Sequence, residues 1–419
     1  MTTSGEPSEA LHGIRILDLT IITAGAGATA FLGDMGAEII KVESTTRIDT
    51  FRNGGTGERA WNRSPNFNTV NRNKYGITLD LKKARGRELF LELAKISDVV
   101  SENFRVGVME GLRLGYEELR SVKPNVVMIS ISSQGIFGPE AKYGSFGSTL
   151  DALSGLAWAT GYQGGPPLWS GPSVNYPDQL ACTLAAGAIL VGLHHRMRTG
   201  EGCYIDFSQR ESITSVLGPM LLDYSISGRE PVRRGNGHEF FVPHGCYPCA
   251  GTDQWLTLAI RSEAEWTSFC SLIGKPELRT DRRFADYPDR YRNRGELDEI
   301  ISEWTRGQEP AVAFRTLAEA GLAAGPVKGG KSVLEDPQME ARGFFQDVLH
   351  PEAGPLRMKT RPMKFSKTDG SMHMAAPTLG QHNEHILSTL LRLSPAAVAD
   401  LEREGVIGTE PVDQTRSRR

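Results

Sequence analysis

The stretch Ile14-Arg-Ile-Leu-Asp-Leu-Thr20 opens the first ordered part of the chain, and Glu38-Ile-Ile-Lys-Val-Glu43 follows it closely. Both are short apolar runs rich in β-branched residues, which is typical of strands buried in a sheet. Between them, the small residues Thr23-Ala-Gly-Ala-Gly-Ala-Thr-Ala30 lead into a short predicted helix that ends near Gly36. A strand, a helix and a strand in so few residues predict a parallel, right-handed βαβ unit.

The same alternation continues through the first half of the chain. Helices are predicted at Ala84–Ile96, Val106–Ser121 and Asp178–Arg198, and strands at Asp98–Ser101, Val126–Ile131 and Tyr204–Phe207. Helices that alternate with short apolar strands are typical of an α/β fold. We therefore predict an open, mostly parallel, Rossmann-like sheet.

A change in composition after Arg229 predicts a domain boundary, because the segment Arg233–Glu239 is polar and rich in glycine. We predict a large α/β domain over residues 1–229 and a smaller α+β domain over residues 230–330. The small domain begins with two strands, Cys246–Ala250 and Trp255–Ile260. Residues 331–419 are expected to return to the large domain and complete it with a last helix near His382 to Leu391.

The composition excludes several classes of protein. The chain has 419 residues, 39% hydrophobic and 23% charged, with a net charge of −3, which gives no electrostatic reason to bind nucleic acid or an anionic membrane. Residues 1–10 lack the apolar core of a signal peptide, and the longest apolar run, Leu180–Leu193, falls short of the ~20 residues that span a bilayer. Five cysteines do not suit a disulfide framework. We therefore expect a cytoplasmic protein that binds neither nucleic acid nor membrane.

Gly25-x-Gly27-x-x-Ala30, followed by a strand that ends in Glu43, is similar to the dinucleotide fingerprint. In that fingerprint the glycines let a pyrophosphate approach a helix N-terminus, and the acid binds ribose. Here four extra residues separate the strand from the glycines, and the acid comes early. The pattern predicts a first loop that binds a ligand, with NAD(P) as the second choice.

Cys246-Tyr-Pro-Cys249 would suit a redox dithiol or half of a zinc site. A redox pair opens a helix, whereas a turn and a strand follow here, and a zinc site needs a second close pair that the sequence lacks. We expect these cysteines to be small strand residues and predict no metal site. His382 and His385 have the spacing of one helix face, and we expect them to pack or to cap.

Asp178 stands at the start of the apolar run Leu180–Leu193. Aspartate is a preferred helix N-cap, and spacing alone favours that role. The same position would hold a carboxylate in one orientation, beside helix amides that can stabilise an oxyanion. Stripped of water, such an aspartate can attack an activated acyl carbon. Both roles stay open at this point.

Fragments spread over nearly the whole chain resemble the family III CoA-transferases of the formyl-CoA and carnitine type. They are Leu11–Thr20, Leu32–Glu43, Asn71–Lys82, Glu102–Arg105, Arg198–Gly202, Ala324–Val327, Asp336-Pro337 and Pro377–His382. Each is modest, but their order and spacing together are specific. The resemblance places the family's catalytic aspartate at Asp178.

The resemblance implies a ring-like subunit with a large and a small domain, interlocked with a second copy as a homodimer or with a related subunit as a heteromer. It implies contacts to CoA, whose phosphates suit Lys and Arg and whose adenine suits an apolar shelf. These contacts are Ile22, Thr23, Ala24, Leu79, Lys82, Asn103, Phe104 and Arg105 and, by weaker matches, Arg113 and Lys142. In three places the chain departs from the family. Glu110-Gly111 stands where many relatives have a Glu-Arg pair before Leu-Gly, and the arginine is displaced to Arg113. Ser44 stands where several relatives have a basic residue, with Arg47 or Arg52 as substitutes, and Gly235-Asn-Gly237 is shorter than the glycine loop of the formyl-CoA enzyme.

The implied activity moves CoA from an acyl-CoA donor to a small organic acid through an aspartyl-CoA thioester on Asp178. CoA is then a substrate, and no tightly bound cofactor is expected. Three alternatives remain: an α-methylacyl-CoA racemase, an NAD(P)-dependent oxidoreductase, and a non-catalytic partner subunit. The racemase needs a histidine before the long helix, and Ser145–Leu150 has none. Aromatic residues in the small domain are consistent with a large or aromatic acid and equally with core packing.

Overall fold

The computed structural model describes residues 9–171, 175–368 and 370–412, which divide into two compact units. The first unit runs to Leu156 and also contains Trp169–Ser225 and the residues from Glu340 onward. The second unit contains Ala157–Leu168 and Ile226–Met339. Residues 230–330, predicted as a small domain, fall within the second unit.

The first unit is built on a parallel sheet that has six strands in the described residues. They are β1 (Arg15–Asp18), β2 (Glu38–Glu43), β3 (Lys74–Thr78), β4 (Val99–Glu102), β5 (Val127–Ser132) and β6 (Cys203–Ser208). Their order in the sheet is β3-β2-β1-β4-β5-β6, with every pair parallel. The predicted α/β class and Rossmann-like sheet are confirmed. The order reverses between β1 and β4, and sheets of this kind bind their ligands at such a switch point.

Strand β3 is the one strand of this sheet that the sequence analysis missed. Its sequence Lys74-Tyr-Gly-Ile-Thr78 contains a lysine and a glycine, which weaken the apolar pattern of a buried strand. Lys74 is nevertheless fully buried, because its charge is paired inside the protein. Tertiary context therefore overrides local propensity here.

Helices cover both faces of the sheet. Up to Ser227 the described helices are α1 (Ala24–Gly33), α2 (Pro65–Val70), α3 (Ala84–Lys95), α4 (Val108–Gly111), α5 (Tyr116–Val122), α6 (Gly147–Leu153), α7 (Leu156–Ala159), α8 (Tyr176–Thr199), α9 (Gln209–Thr214) and α10 (Gly218–Ser227), with short 3-10 turns at Thr50–Gly54, Ala60–Asn62 and Ser215–Leu217. On one face Ile16 and Ile39 pack with α1 and α8, and on the other Leu17 and Ile40 pack with α3. Because both faces are covered, the strands are mostly apolar on both sides, and charged residues within them, such as Asp18 and Lys41, are buried with partners inside the protein.

The helix predicted over Val106–Ser121 is two short helices, α4 and α5. Arg113 lies between them in the left-handed region, with φ of 58°. Gly115 then precedes the first residue of α5. A left-handed residue ends the run of helical hydrogen bonds, so the continuous prediction is wrong at this point.

The second unit has a three-stranded antiparallel sheet in its described residues, ordered β7-β8-β9. Its strands are β7 (His244–Pro248), β8 (Trp255–Ala259) and β9 (Ala323–Pro326), and its helices are α11 (Glu263–Leu272), α12 (Tyr287–Arg292), α13 (Arg294–Arg306), α14 (Pro310–Glu319) and α15 (Gly330–Leu334), with a 3-10 turn at Pro276–Arg279. Trp266, Phe269 and Tyr247 are buried in the core of this unit, whereas Phe240 is exposed. Core packing therefore accounts for part of the aromatic content.

The C-terminal part returns to the first unit. The change from the second unit to the first falls within α16 (Pro337–Ala341). After it come the hairpin β10 (Phe345–His350) and β11 (Gly354–Lys359) and the helices α17 (Asn383–Thr389) and α18 (Pro395–Arg403). Oδ1 of Asn383 accepts the amide of Thr78 at 2.8 Å, which fastens α17 to β3. Helix α18 was not predicted, although Ser394 caps it by accepting the amide of Ala397 at 3.2 Å and Pro395 begins it.

Helix α8 is longer than its apolar run suggests. It has 24 residues and, among the described segments, is the one helix long and apolar enough to cross a membrane by length and composition. Helices that cover a sheet pass the same test. Here α8 packs on α1, α6, α9, β5 and β6.

Candidate active site

Asp178 lies in the first turn of α8, and Asn175 is the residue before the helix. The interpretation of Asp178 as the N-cap is therefore wrong, since the helix begins two residues earlier. Asn175 adopts the left-handed conformation, with φ of 48°, which Asn tolerates better than most residues. Its Nδ2 donates to Oδ2 of Asp178 at 2.6 Å. This turn places one strong donor on the carboxylate.

The Asp178 side chain is buried, and its pKa is raised. Only 7% of the residue is exposed. Burial and, after it, the negative charge of Asp151 raise the pKa of Asp178 to about 6. Over the described ranges no cation pairs with the carboxylate. At neutral pH Asp178 is thus ionised, desolvated and more basic than an ordinary aspartate, as a carboxylate nucleophile requires.

The backbone amides of this turn are already occupied. Tyr176 N donates to Oγ of Ser170 at 3.3 Å, and Pro177 has no N–H. The amides of Asp178 and Gln179 both donate to the Asn175 carbonyl, at 3.0 and 3.3 Å. The predicted stabilisation of an oxyanion by these helix amides is therefore wrong.

The donor that remains at the carboxyl group is the side-chain amide of Asn175. Asn175 was not predicted from the sequence as a site residue. A signal was available, because Asn is a favoured N-cap and Asn175-Tyr-Pro-Asp178 places it ahead of a proline in the first turn.

Helix α6 supports this turn through Gly147. A Cβ atom at Gly147 would lie 1.9 Å from Oδ1 of Asn175, which is far inside van der Waals contact. Only glycine allows the Asn175 side chain to lie here. The stretch Ser145–Leu150, which lacks the histidine that a racemase needs, contains this glycine and thus positions the partner of Asp178.

Small residues let α8 lie close to α1. A Cβ atom at Gly27 would lie 2.6 Å from Sγ of Cys182, one turn after Asp178, and a Cβ atom at Gly25 would lie 2.4 Å from the Thr20 side chain. Gly27 of the dinucleotide-like pattern therefore serves helix packing, and Gly25 makes room for the Thr20 side chain that follows β1. The same close contact connects the helix of Asp178 to the helix that begins at the first loop.

The first loop and the end of β4 meet at the switch point of the sheet. Ile21 N donates to Oδ1 of Asn103 at 2.8 Å, and Nδ2 of Asn103 donates to the Ile21 carbonyl at 2.8 Å. Ile22 follows with φ of 61°, and both carboxylate oxygens of Asp49 accept its amide at 3.2 Å. Thr23 and Ala24 are buried at the start of α1. The structure thus brings together Ile22, Thr23, Ala24 and Asn103, four of the predicted CoA contacts.

Phe104 and Arg105 continue from Asn103. Oε2 of Glu102 accepts the Phe104 amide at 2.6 Å, and burial raises the pKa of Glu102 to about 7. Arg105 is exposed, and its guanidinium lies over Gly144, where a Cβ atom would be 2.9 Å from Nη2. Lys142, also exposed, is two residues before Gly144. Two of the predicted basic contacts are therefore on neighbouring segments.

The other predicted contacts are more scattered. Leu79 is fully buried in the core beside β3, and its amide donates to the Glu43 carbonyl at 2.8 Å, so its side chain has no exposed surface to offer. Lys82 is exposed after β3, and Arg113 is exposed at the break between α4 and α5. No contact among the described residues brings these three to Asp178.

A buried ionic network that was not predicted from the sequence lies under the first loop. Lys74 Nζ donates to Asp18 at 2.7 Å and to the carbonyl of Ala26 in α1 at 2.8 Å. Lys41 Nζ donates to the Thr20 carbonyl at 2.7 Å. Burial lowers the pKa of Lys74 to about 8, although Asp18 opposes that shift. The signal was a charged residue inside each apolar strand, Asp18 in β1 and Lys41 in β2.

Glu43, the acidic residue of the dinucleotide-like pattern, already forms an ion pair with Arg52. Both carboxylate oxygens of Glu43 accept hydrogen bonds from Arg52, at 2.8 and 2.6 Å, and Arg52 is fully buried. Glu43 is therefore not free for a ribose, which removes the second basis for an NAD(P) site. Several relatives have a basic residue at the position of Ser44, and Arg52 was predicted as a substitute for it. That prediction is wrong, because Arg52 is buried and paired with Glu43.

The remaining motifs have ordinary environments. Cys246 lies on β7 with Cys249 just after it, and both are free thiols. No cluster of metal-ligating side chains occurs within the residues that the structure describes. His382 precedes α17 and accepts the Gly76 amide at 3.0 Å through Nδ1, and His382 and His385 both pack on Tyr75. These two histidines pack, as expected, but the His382 side chain makes no capping hydrogen bond to α17.

The model of CoA-transferase family III matches residues 11–383. The chain belongs to CoA-transferase family III. It is 34% identical over 409 residues to the succinyl-CoA–D-citramalate CoA-transferase of Chloroflexus aurantiacus, which covers 97% of this chain and 100% of that protein. It is 33% identical over 397 residues to the succinyl-CoA:glutarate CoA-transferase of Mus musculus, which covers 95% and 90%. The crystal structure of a CaiB/BaiF family protein from Brucella suis matches with a TM-score of 0.83 and 30% identity, over 91% of this chain and 99% of that one.

This CoA-transferase therefore acts on CoA thioesters, as the members of its family do. The prediction of an enzyme is confirmed. The alternatives of a racemase and a nicotinamide oxidoreductase find no support in the family or in the residues described above.

Proposed function

We propose that this family III CoA-transferase moves CoA from an acyl-CoA thioester to a free carboxylic acid through a covalent aspartyl-CoA thioester on Asp178. The observation that carries the proposal is the state of that carboxylate. It is buried, lacks a cationic partner in the described chain and accepts one short hydrogen bond from Asn175. A carboxylate used only to cap a helix would lie before the first turn and bond its amides.

The proposed cycle balances without any further reagent. A carboxylate oxygen of Asp178 attacks the thioester carbonyl, the C–S bond breaks, and CoA leaves as a thiolate from a mixed anhydride. The thiolate attacks the Asp178 carbonyl of the anhydride, which releases the donor acid and forms the aspartyl-CoA thioester. The acceptor carboxylate repeats the two steps in reverse. Because acyl bonds of similar energy are exchanged, the cycle needs no ATP, metal or bound cofactor.

The protein positions the Asp178 carboxylate, limits the access of water to it and supplies one hydrogen-bond donor. Helix α6 and Asn175 hold the carboxylate, and burial limits the water that would hydrolyse the anhydride. Nδ2 of Asn175 is the donor near the carbon that becomes tetrahedral, so we assign it the stabilisation of the oxyanion. CoA is proposed to lie at the switch point, against Ile22–Ala24 and Asn103–Arg105, with Arg105 and Lys142 available to its phosphates.

Succinyl-CoA is the proposed donor, and a dicarboxylic acid is the proposed acceptor. Relatives that match nearly the whole chain are named as transferring CoA from succinyl-CoA to D-citramalate, glutarate or mesaconate. All three acceptors are dicarboxylic acids. We therefore favour a dicarboxylate acceptor over a large or aromatic acid.

A homodimer is proposed as the working assembly, with a heteromer of related subunits as the alternative. In the single chain, no residue of α10 is buried, and Leu222 in it is 60% exposed. On the outer side of α8, Val191 and Met197 are 70% and 76% exposed. Apolar surface of this kind usually marks an interface between proteins.

Mass spectrometry tests the covalent step. The protein is incubated with succinyl-CoA and treated with borohydride or hydroxylamine, and the digest is searched for a modified Asp178. We expect the label on Asp178 and no label in Asp178→Asn, a variant of the same size that cannot attack. We also expect both Asp178→Asn and Asp178→Ala to be inactive with unchanged circular dichroism. Full activity in Asp178→Ala, or turnover of the wild type without a label at Asp178, would disprove the mechanism.

A further inference from the structure

Helix α6 meets the first turn of α8 through two residues of one face. Gly147 and Asp151 are four positions apart, so they lie one above the other on the helix. Gly147 receives the side chain of Asn175. Asp151 binds Ser170, whose hydroxyl in turn accepts the amide of Tyr176 at 3.3 Å. This face therefore supports the turn that contains Asp178.

Asp151 is an unusual residue for a support of this kind. It is fully buried, and its Oδ2 accepts both the amide of Ser170 at 3.0 Å and the hydroxyl of Ser170 at 2.7 Å. Its Oδ1 is also buried and has no hydrogen-bond partner among the described residues. A neutral side chain would accept the same two bonds. The structure thus contains a buried negative charge that holding Ser170 does not require.

The other elements packed on α8 bring little charge to Asp178. Helix α1 and strand β5 carry no ionisable side chain. On α9, Arg210 pairs with Glu140, and Glu211 is exposed. On β6, Asp206 accepts the amide of Ile136, and the other ionisable groups are the phenol of Tyr204 and the thiol of Cys203. Within α8, burial raises the pKa of Cys182 to about 12, so the thiol is neutral. The cations Lys359, Lys74 and Arg72 act on the Cys182 thiol, one turn after Asp178, but Asp151 is the charged group that acts on Asp178 itself.

We propose that Asp151 is a positioning residue that favours the covalent intermediate, because forming a thioester on Asp178 removes the negative charge that Asp151 repels. The proposal rests on the proposed function, since it concerns the same aspartyl-CoA thioester. In the net half-reaction, ionised Asp178 and succinyl-CoA give the Asp178 thioester and free succinate. The negative charge leaves the buried pair with the released acid. Repulsion in the resting enzyme therefore shifts this equilibrium toward the intermediate.

Protonation of Asp178 and formation of its CoA thioester both remove the negative charge of the carboxylate. The repulsion that makes the carboxylate easier to protonate must therefore also make it easier to convert to the thioester. The raised pKa of Asp178, with Asp151 as a cause second to burial, agrees with this coupling. If Asp151→Asn lowers the pKa of Asp178 by one unit, the equilibrium constant for thioester formation should fall tenfold.

The test measures both quantities in Asp151→Asn. Purified enzyme is equilibrated with fixed ratios of succinyl-CoA to succinate, quenched in acid and analysed by intact-protein mass spectrometry for the fraction that carries CoA. The pH dependence of the single-turnover half-reaction with succinyl-CoA gives the pKa of Asp178. We expect the midpoint of this profile to move to lower pH and the equilibrium constant to fall by the matching factor.

Two controls separate charge from structure. Ser170→Ala removes the hydroxyl bond to Asp151 but keeps the charge, so it should slow the half-reaction without moving the pH midpoint. Glu211→Gln makes the same change of charge on α9, where the side chain is exposed, and should change neither quantity. If Asp151→Asn does not fold, Asp151→Ser removes the same charge and leaves room for water to bond Ser170.

The outcomes distinguish the two proposals. If the wild type forms the intermediate and Asp151→Asn forms it to the same extent with an unmoved pH midpoint, Asp151 has no electrostatic role and the further proposal is overturned. It is also overturned if Ser170→Ala reproduces every effect of Asp151→Asn. If the wild type itself never carries CoA on Asp178 with succinyl-CoA, the proposed function fails, and this inference fails with it.

Discussion

At the scale of single residues, the chemistry depends on what surrounds one carboxylate. Asp178 is buried, faces the charge of Asp151 and receives one hydrogen bond from Asn175. The amides that usually make a helix N-terminus attractive to anions have other partners here. The side-chain amide of Asn175 takes the role that sequence reasoning gave to the backbone.

The raised pKa of Asp178 predicts how the half-reaction depends on pH. Only the carboxylate attacks, so the single-turnover rate with succinyl-CoA should be flat above pH 7 and fall about tenfold per unit well below pH 6. Asn175→Ala removes a donor to the charged form, so its midpoint should move to higher pH and its maximal rate should drop. Stopped-flow measurements over pH 5 to 8 (about the range in which Asp178 titrates) check this. A wild-type rate that stays constant down to pH 5 would contradict it.

The raised pKa of Asp178 also predicts that ionisation of this carboxyl group lowers the free energy of unfolding. Between the ordinary pKa of 3.8 and about 6, the folded state holds the Asp178 proton more tightly than the unfolded state does. Stability is therefore lost as the pH rises through this window, and the loss is complete above it. Asp178→Asn avoids that loss and should be more stable at pH 7 by up to ~3 kcal/mol. Thermal denaturation at pH 7 and pH 4 measures this, and the advantage should shrink at pH 4. If Asp178→Asn is less stable than the wild type at pH 7, the buried ionised carboxylate does not destabilise the fold.

At the scale of elements, glycines decide how closely the helices of the site approach. Gly27 in α1 admits Cys182 of α8, and Gly147 in α6 admits Asn175. The first contact sets how closely α8 lies to α1, and the second places the residue before α8 against α6. In both places the glycine supplies space for a neighbouring side chain. At Gly27 the sequence pattern had instead suggested room for a pyrophosphate.

Gly147→Ala is therefore expected to damage the site without unfolding the protein. The added methyl group must displace the Asn175 side chain and with it the donor on Asp178, and misplacement of about 1 Å can reduce a rate on the order of 100-fold. Gly295→Ala is the matched control, because this glycine of α13 also lies in a helix, is exposed and has open space where a Cβ atom would lie. Steady-state assays with circular dichroism measure the effect. Equal activity in the two variants would contradict this role of Gly147.

At the scale of the whole molecule, the surface of a single chain points to assembly. Exposed apolar side chains on α8 and α10 include Leu222, Val191 and Met197. A lone helix such as α10, with no buried residue, has little packing to hold it. An interface would supply that packing.

We expect light scattering after size-exclusion chromatography to give twice the mass of one chain. We also expect the amides of α10 to exchange hydrogen as slowly as those of α3, which is packed in the core of the first unit. Asp178→Asn serves as a control, since it changes the site and should keep the mass of the wild type. A monomer at micromolar concentration with rapid exchange in α10 would rule out the proposed homodimer.

Much of the fold was predictable because it rests on local patterns. The apolar runs of β1, β2, β4, β5 and β6 and the long apolar helix α8 were all evident in the sequence. Strand β3 was missed because its lysine is buried by pairing with Asp18, a residue distant in sequence. Helix α18 was missed although its cap Ser394 was visible.

The sequence by itself determined the α/β class, the family resemblance and the position of the candidate nucleophile, because periodicity and motif order are properties of the chain. Tertiary structure alone decided the environment of that nucleophile. Asp151, Ser170 and Gly147 come to Asp178 only when α6 packs on α8. Likewise, only the fold shows that Glu43 is already paired with Arg52. Burial and charge pairing depend on neighbours that are far apart in sequence, and no local pattern encodes them.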